Sequence, residues 1–120
     1  KSMSRQVSYE EIGAVTATFI AQSGVEDGMA VKLAGDSTVG PCTAGERFCG
    51  VALAPVGGFA AVQVGGFARV KYSGTGVAPG WVSLTADGSG GVKQAGSGDG
   101  ARDYLVVSAD TTAKTAVVRL

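Results

Sequence analysis

The sequence contains no histidine and no asparagine. Histidine is the usual proton shuttle near neutral pH and the commonest metal ligand, so its absence removes Ser-His and Cys-His nucleophile activation and most metal chemistry. Cysteine is scarce as well. Cys42 and Cys49 are separated by six residues, which fits neither a CxxC motif nor a usual zinc spacing, and no second pair completes four ligands. The two flank Ala44-Gly45-Glu46 and can face each other across a hairpin, but the expectation is reduced, buried, structural thiols. No sign of charge dominates: ten Lys and Arg balance ten Asp and Glu, scattered singly, for a net charge of zero. That leaves no basic stripe for phosphates and no polybasic patch for anionic lipid, so neither nucleic acid nor a membrane is an expected partner. The longest nearly apolar stretch, Gly13 to Ala21, falls short of the ~20 residues that span a bilayer, and Lys1 to Glu11 is too polar for a signal peptide. The expectation is a soluble chain made in the cytoplasm, with Met3 as its native start.

Large apolar side chains are few. Val, Leu, Ile and Phe make up 28 of 120 residues, just above the ~20% below which a charged chain stays disordered. Valine alone supplies 17 of them, which predicts a small, valine-rich core. Glycine is what the chain has in excess, at 20 residues, yet Gly plus Pro stays below the ~25–30% of low-complexity segments. At this length one domain is expected, with burial enough to fold without metal or disulfide.

Short apolar runs recur between Gly, Asp and Ser clusters: Val15 to Ile20, Ala30 to Leu33, Val51 to Leu53, Ala60 to Val64, Ala68 to Tyr72 and Val82 to Thr85. This spacing predicts a mainly β fold, a small sandwich or barrel. Ala101 to Leu120 reads as a hairpin, with Tyr104-Leu105-Val106-Val107 and Thr115-Ala116-Val117-Val118 as its strands. At most a short helical turn is expected, near Ser8 to Ile12, where Ser8 and Glu11 match a capping box. Gly65-Gly66 reads as the turn of another hairpin, with a glycine bulge that brings Val70 and Tyr72 beside Val62 and Val64. The chain also repeats, over approximately residues 25–70 and 77–120. Val25-Glu26-Asp27-Gly28-Met29-Ala30-Val31 aligns with Val77-Ala78-Pro79-Gly80-Trp81-Val82-Ser83, Phe48 to Ala52 with Tyr104 to Ser108, and Ala61 to Val64 with Ala116 to Arg119. Two similar halves packed into one pseudo-symmetric β domain, residues 15–120, follow from this.

Each motif that hints at chemistry has a plainer reading. Gly96-Ser97-Gly98-Asp99-Gly100 resembles a phosphate-binding loop, but strand-like residues follow where a helix is required, so it reads as a hairpin tip. Asp99 and Asp103 lack the further oxygens a calcium site needs. Ala86-Asp87-Gly88-Ser89-Gly90 is a turn. Glu10 with Glu11, and Glu26 with Asp27, sit on polar stretches that offer no contrast between an acid and a base. Trp81 with Phe59, Phe67 and Tyr72 can be drawn as a sugar-binding platform; the ordinary reading puts Trp81, Phe59 and Phe67 in the core or at a subunit interface, with Trp81 buried. No catalytic, cofactor-binding or metal residues are expected, and the chain reads as no enzyme.

Taken in order, Gly28-Met29-Ala30-Val31-Lys32-Leu33, Phe48-Cys49-Gly50-Val51-Ala52, Val62-Gln63-Val64-Gly65-Gly66 and Pro79-Gly80-Trp81-Val82, then Asp87-Gly88 and Val92, resemble the small Gly- and Ala-rich capsid decoration, or cement, proteins of tailed bacteriophages and prophages. The likeness runs from about Val15 to Leu120. It implies a compact β domain on the outside of the virion head, bound to the major capsid protein, often as a homo-trimer, and stabilising the shell against internal DNA pressure. Where it expects a Gly-Val pair in the second half, this chain has Tyr104-Leu105-Val106-Val107. Residues 1–14 form an expected N-terminal arm. Met3 to Tyr9 lies outside the repeat and is free to add as a strand to a capsid-protein sheet edge, with Arg5, Val7 and Tyr9 as its contacts, or to dock on its own sheet. The alternative function is a β-rich surface interaction or carbohydrate-binding module.

Overall fold

The computed structural model describes residues 14–120, and among them are ten β-strands and no helix. They are β1 (Val15–Ala21), β2 (Ala30–Gly35), β3 (Thr38–Pro41), β4 (Gly50–Val56), β5 (Phe59–Gly65), β6 (Phe67–Lys71), β7 (Gly80–Ala86), β8 (Val92–Gln94), β9 (Arg102–Asp110) and β10 (Thr115–Arg119). The expected runs all fall on strands. The mainly β expectation is met, and the expected arm with its capping box lies outside the described residues.

The strands form two five-stranded units. In the first, β1, β3, β2, β4 and β5 close into a barrel. Every neighbouring pair there is antiparallel except β1 with β3. The second is a sheet in the order β6-β10-β9-β7-β8. A single parallel bridge from Tyr72 to Val92, with the Ser73 N–H donating to Val92 O at 2.9 Å, links the end of β6 to β8. Followed round its circuit from β6, the second unit therefore runs 6-8-7-9-10, the same order as 1-3-2-4-5. The aligned sequence segments enter equivalent strands: β2 and β7, β4 and β9, β5 and β10.

The Gly65-Gly66 hairpin is not formed. β5 pairs with β1 and β4, and β6 pairs with β10. Gly66, at φ +84°, instead bends the chain from one unit into the next, a conformation glycine adopts without a Cβ clash. The expected bulge, which would bring Val70 and Tyr72 beside Val62 and Val64, is therefore absent. Ala68 and Val70 face the core while Arg69 and Lys71 face out, with no need to share a face with Val62. The hairpin expected over 101–120 is present as β9 and β10. Gly96 to Gly100 is not a hairpin tip, since β8 and β9 are not neighbours. It is a crossing loop, anchored where the Gly100 N–H donates to Gly45 O at 2.9 Å.

Two apolar clusters hold the fold. One lies within the barrel and contains Val25, Val31, Val39, Ala52, Ala60 and Val62. The other joins the units, because Ala30, Phe48 and Val51 of the first pack with Ala68, Val70, Tyr72, Leu84, Val92, Tyr104 and Val118 of the second. Within it Phe48 and Tyr104, equivalent residues of the two halves, stack with ring centroids 5.1 Å apart and planes 14° off parallel. Backbone bonds stitch the same seam: Gly45 N–H to Ala86 O, Ala86 N–H to Glu46 O and Ala30 N–H to Gly90 O, at 2.9, 3.0 and 2.9 Å.

Candidate interaction surface

The two halves share a topology but differ at one pair of equivalent tips. The β9–β10 turn is polar: Asp110 Oδ1 accepts the N–H groups of Thr112 and Ala113, both at 3.0 Å, and Lys114 Nζ donates to Gly74 O at 2.8 Å. The two amide bonds, Ala113 first and then Thr112, hold the Asp110 carboxyl below its ordinary pKa. The β4–β5 tip is Val56-Gly57-Gly58-Phe59, with both glycines at positive φ, as a tight turn requires. It leaves Val56 74% and Phe59 55% exposed. Val56 opposes Phe59, and Phe59 opposes Ile20 on β1, itself 47% exposed. Directly opposed residues share a face, so Ile20, Phe59 and Val56 form one apolar row across three strands.

The row lies in an unusual background. From Phe48 to Ala68 the sequence carries no charged side chain. The hairpin is braced rather than loose: the Ala54 N–H donates to Asp27 Oδ1 at 2.9 Å. Beside the row, β1 pairs with β5 along its length but with β3 only at Ile20 and Ala21. Val15 to Phe19 thus present a strand edge with no partner strand among the described residues, of the kind that accepts an added strand.

Of the expected contact residues, Phe59 belongs to this row. Trp81 is 68% exposed, which corrects its expected burial. The reason is strand parity: Val82 points into the shared core, so Trp81 points out. Its cross-strand neighbours are Leu105, then Arg119, then Phe67, which places Phe67, half-buried, three strand spacings away, ~14 Å. Tyr72 is 5% exposed and in the core, so the four aromatics form no common platform. Arg5, Val7 and Tyr9 lie outside the described residues, as do Glu10 and Glu11. Sequence reasoning missed Ile20 and Val56; the uncharged Phe48 to Ala68 run, with its Gly-Gly tip, is the signal that points to them.

The remaining candidates are used locally. Asp87 caps its turn, Oδ1 accepting from the Ser89 and Gly91 amides at 2.7 and 3.0 Å. Asp99 Oδ2 accepts the Gly96 N–H at 2.8 Å. Cys42 and Cys49 are free, and Cys49 is exposed rather than buried. Pro41 and Gly50 pair with Val31 from opposite sides of β2, so the two thiols do not face each other across a hairpin. Their backbones are two strand spacings apart, ~9–10 Å and beyond disulfide reach. Burial, with the Glu46 carboxylate nearby, pushes the Cys42 thiol up to about 11.

Among the described residues no three His, Cys, Asp or Glu side chains gather to hold a metal ion, and no helix is long and apolar enough to cross a membrane. The sequence matches no protein-family model and no curated protein.

Proposed function

We propose that this chain is a structural virion protein that binds the outer surface of a phage head and stabilises the lattice of the major capsid protein, acting without catalysis or cofactor and assembling as a homo-trimer. The observation that carries the reading is the Ile20–Phe59–Val56 row on an uncharged hairpin. Exposed contiguous apolar surface on a small domain marks a protein contact, and the polar tip of the other half shows that the topology does not itself demand it. The ordered motifs that resemble decoration proteins supply the identity of the partner. The edge of β1 that has no partner strand among the described residues offers a second means of attachment.

The test is co-sedimentation with tailed-phage shells lacking decoration protein, with shell melting as the readout. The chain should bind and raise the temperature at which shells rupture. Shells that neither bind it nor gain stability overturn the reading. The exposed Trp81 favours the alternative of a carbohydrate-binding module, which a glycan array with Trp81 fluorescence titration separates from the first.

A further inference from the structure

On the seam between the halves lies a second feature, a cleft of about 510 Å³ whose lining includes Lys32, Arg47, Phe48, Cys49, Arg102 and Tyr104. The Phe48–Tyr104 stack lies beneath it, nearly fully buried, and the Arg102 guanidinium sits 5.0 Å from the centre of the Tyr104 ring. The charges divide unevenly. Lys32 Nζ lies 2.9 Å from both oxygens of Glu46, and Glu46 Oε1 also accepts the Thr43 N–H at 2.7 Å. That pair is self-contained. Arg47 and Arg102 are both exposed, and among the described residues neither has a carboxylate within ion-pair distance. Both fields reach the Tyr104 hydroxyl, where they oppose the effect of burial. Two guanidinium groups therefore line one cleft whose own carboxylate, Glu46, is already paired with Lys32.

We propose that this cleft receives a carboxylate side chain from an extended segment of the protein partner, held between Arg47 and Arg102 with its methylene groups against the exposed side chain of Leu33 in the cleft lining. A planar carboxylate matches the guanidinium fork, and the exposed Leu33 side chain in the lining suits an alkyl stem more than a bare anion. A nucleic-acid backbone is disfavoured because it needs a track of cations, whereas this chain's net charge is zero and its cations are scattered. The inference deepens the proposed function by naming the surface chemistry the cleft would meet, an acidic loop of the capsid lattice.

Two arms test it on the full chain. In the first, backbone N–H signals of the cleft residues Phe48, Cys49 and Tyr104 are followed by NMR during titration with acetyl-Gly-Glu-Gly-Glu-Gly-amide, its Gln counterpart, and inorganic phosphate. Saturable shifts with the Glu peptide, at least tenfold weaker with the Gln peptide and with the Arg47→Gln/Arg102→Gln variant, support the cleft. Equal response to the Gln peptide, or tighter binding of phosphate, overturns it. In the second arm, wild type and variant are added to shells, with the variant's melting temperature as a folding check. Wild-type binding with at least tenfold loss in the variant supports the cleft, and equal binding by both overturns it while leaving the surface-binding reading standing. Failure of the wild type to bind shells overturns that reading and the capsid loop as occupant, while a Glu-peptide response still supports the cleft as a carboxylate site.

Discussion

Single atoms hold the seam between the two halves, and Thr85 shows how. Its side chain is fully buried, and its hydroxyl donates to Gly100 O at 2.6 Å with Glu46 O 3.0 Å away. Thr85→Val keeps the shape but leaves the carbonyl unpaired, so urea denaturation should show a loss of about 1–3 kcal/mol. Gly50 is equally constrained: a Cβ there would lie 2.6 Å from Gln63 O and 2.7 Å from Val62 Cγ1. Gly50→Ala should destabilise by more than 1 kcal/mol, because backbone on the neighbouring strand has to move. Glu46 gives a pH signature. The Thr43 N–H first, then Lys32, lower its pKa from 4.5 to about 2. The unfolded chain therefore binds the proton more tightly, so this contribution is complete above pH 4.5 and is lost as pH falls toward 2. Asp110, lowered by the Ala113 and Thr112 amides, acts in the same direction. Denaturant midpoints should drop across that window, and Glu46→Gln should flatten the fall.

At the level of elements, the apolar tip makes the plainest prediction. Val56 and Phe59 are exposed, so Val56→Ser/Phe59→Ser should leave the melting temperature within about 2 °C of wild type, as expected for surface positions. Shell binding should fall by tenfold or more, since covering two such side chains contributes about 1.5–3 kcal/mol each. A variant that binds as wild type would remove the row from the interface. How much of this was readable in advance differs by element. β4, β7, β9 and β10 announce themselves through β-branched and aromatic clusters. β3 and β8 are short, with Val39 and Val92 as their only fully buried side chains, and such strands exist because their neighbours hold them. The Gly65-Gly66 bend misled for a physical reason: Gly-Gly supplies positive φ equally to a hairpin and to a change of sheet, and only β10, fifty residues on, selects between them. Trp81 was misjudged because size alone argues for burial, whereas its side is set by strand parity, fixed by Val82 and Leu84 packing inward.

The molecule as a whole should unfold as one unit despite its two circuits, since the shared cluster takes Ala30, Phe48 and Val51 from one half and the rest from the other. Calorimetry should return a van't Hoff enthalpy equal to the calorimetric one, and two resolved transitions would show the halves to be independent. Light scattering at tens of micromolar should give three times the chain mass if the proposed trimer forms in solution. The Gly66 bend carries one further consequence. Val15 pairs with Gly65, and the Leu120 N–H donates to Gly66 O at 2.8 Å, so both ends of the described fold meet at its midpoint. A linker of a few residues should join Leu120 to Val15, and the ring so closed can be reopened in the polar Asp110–Lys114 turn. Such a circular permutant keeps every strand pairing and moves the points of attachment for a fused cargo from the waist of the molecule to a hairpin tip.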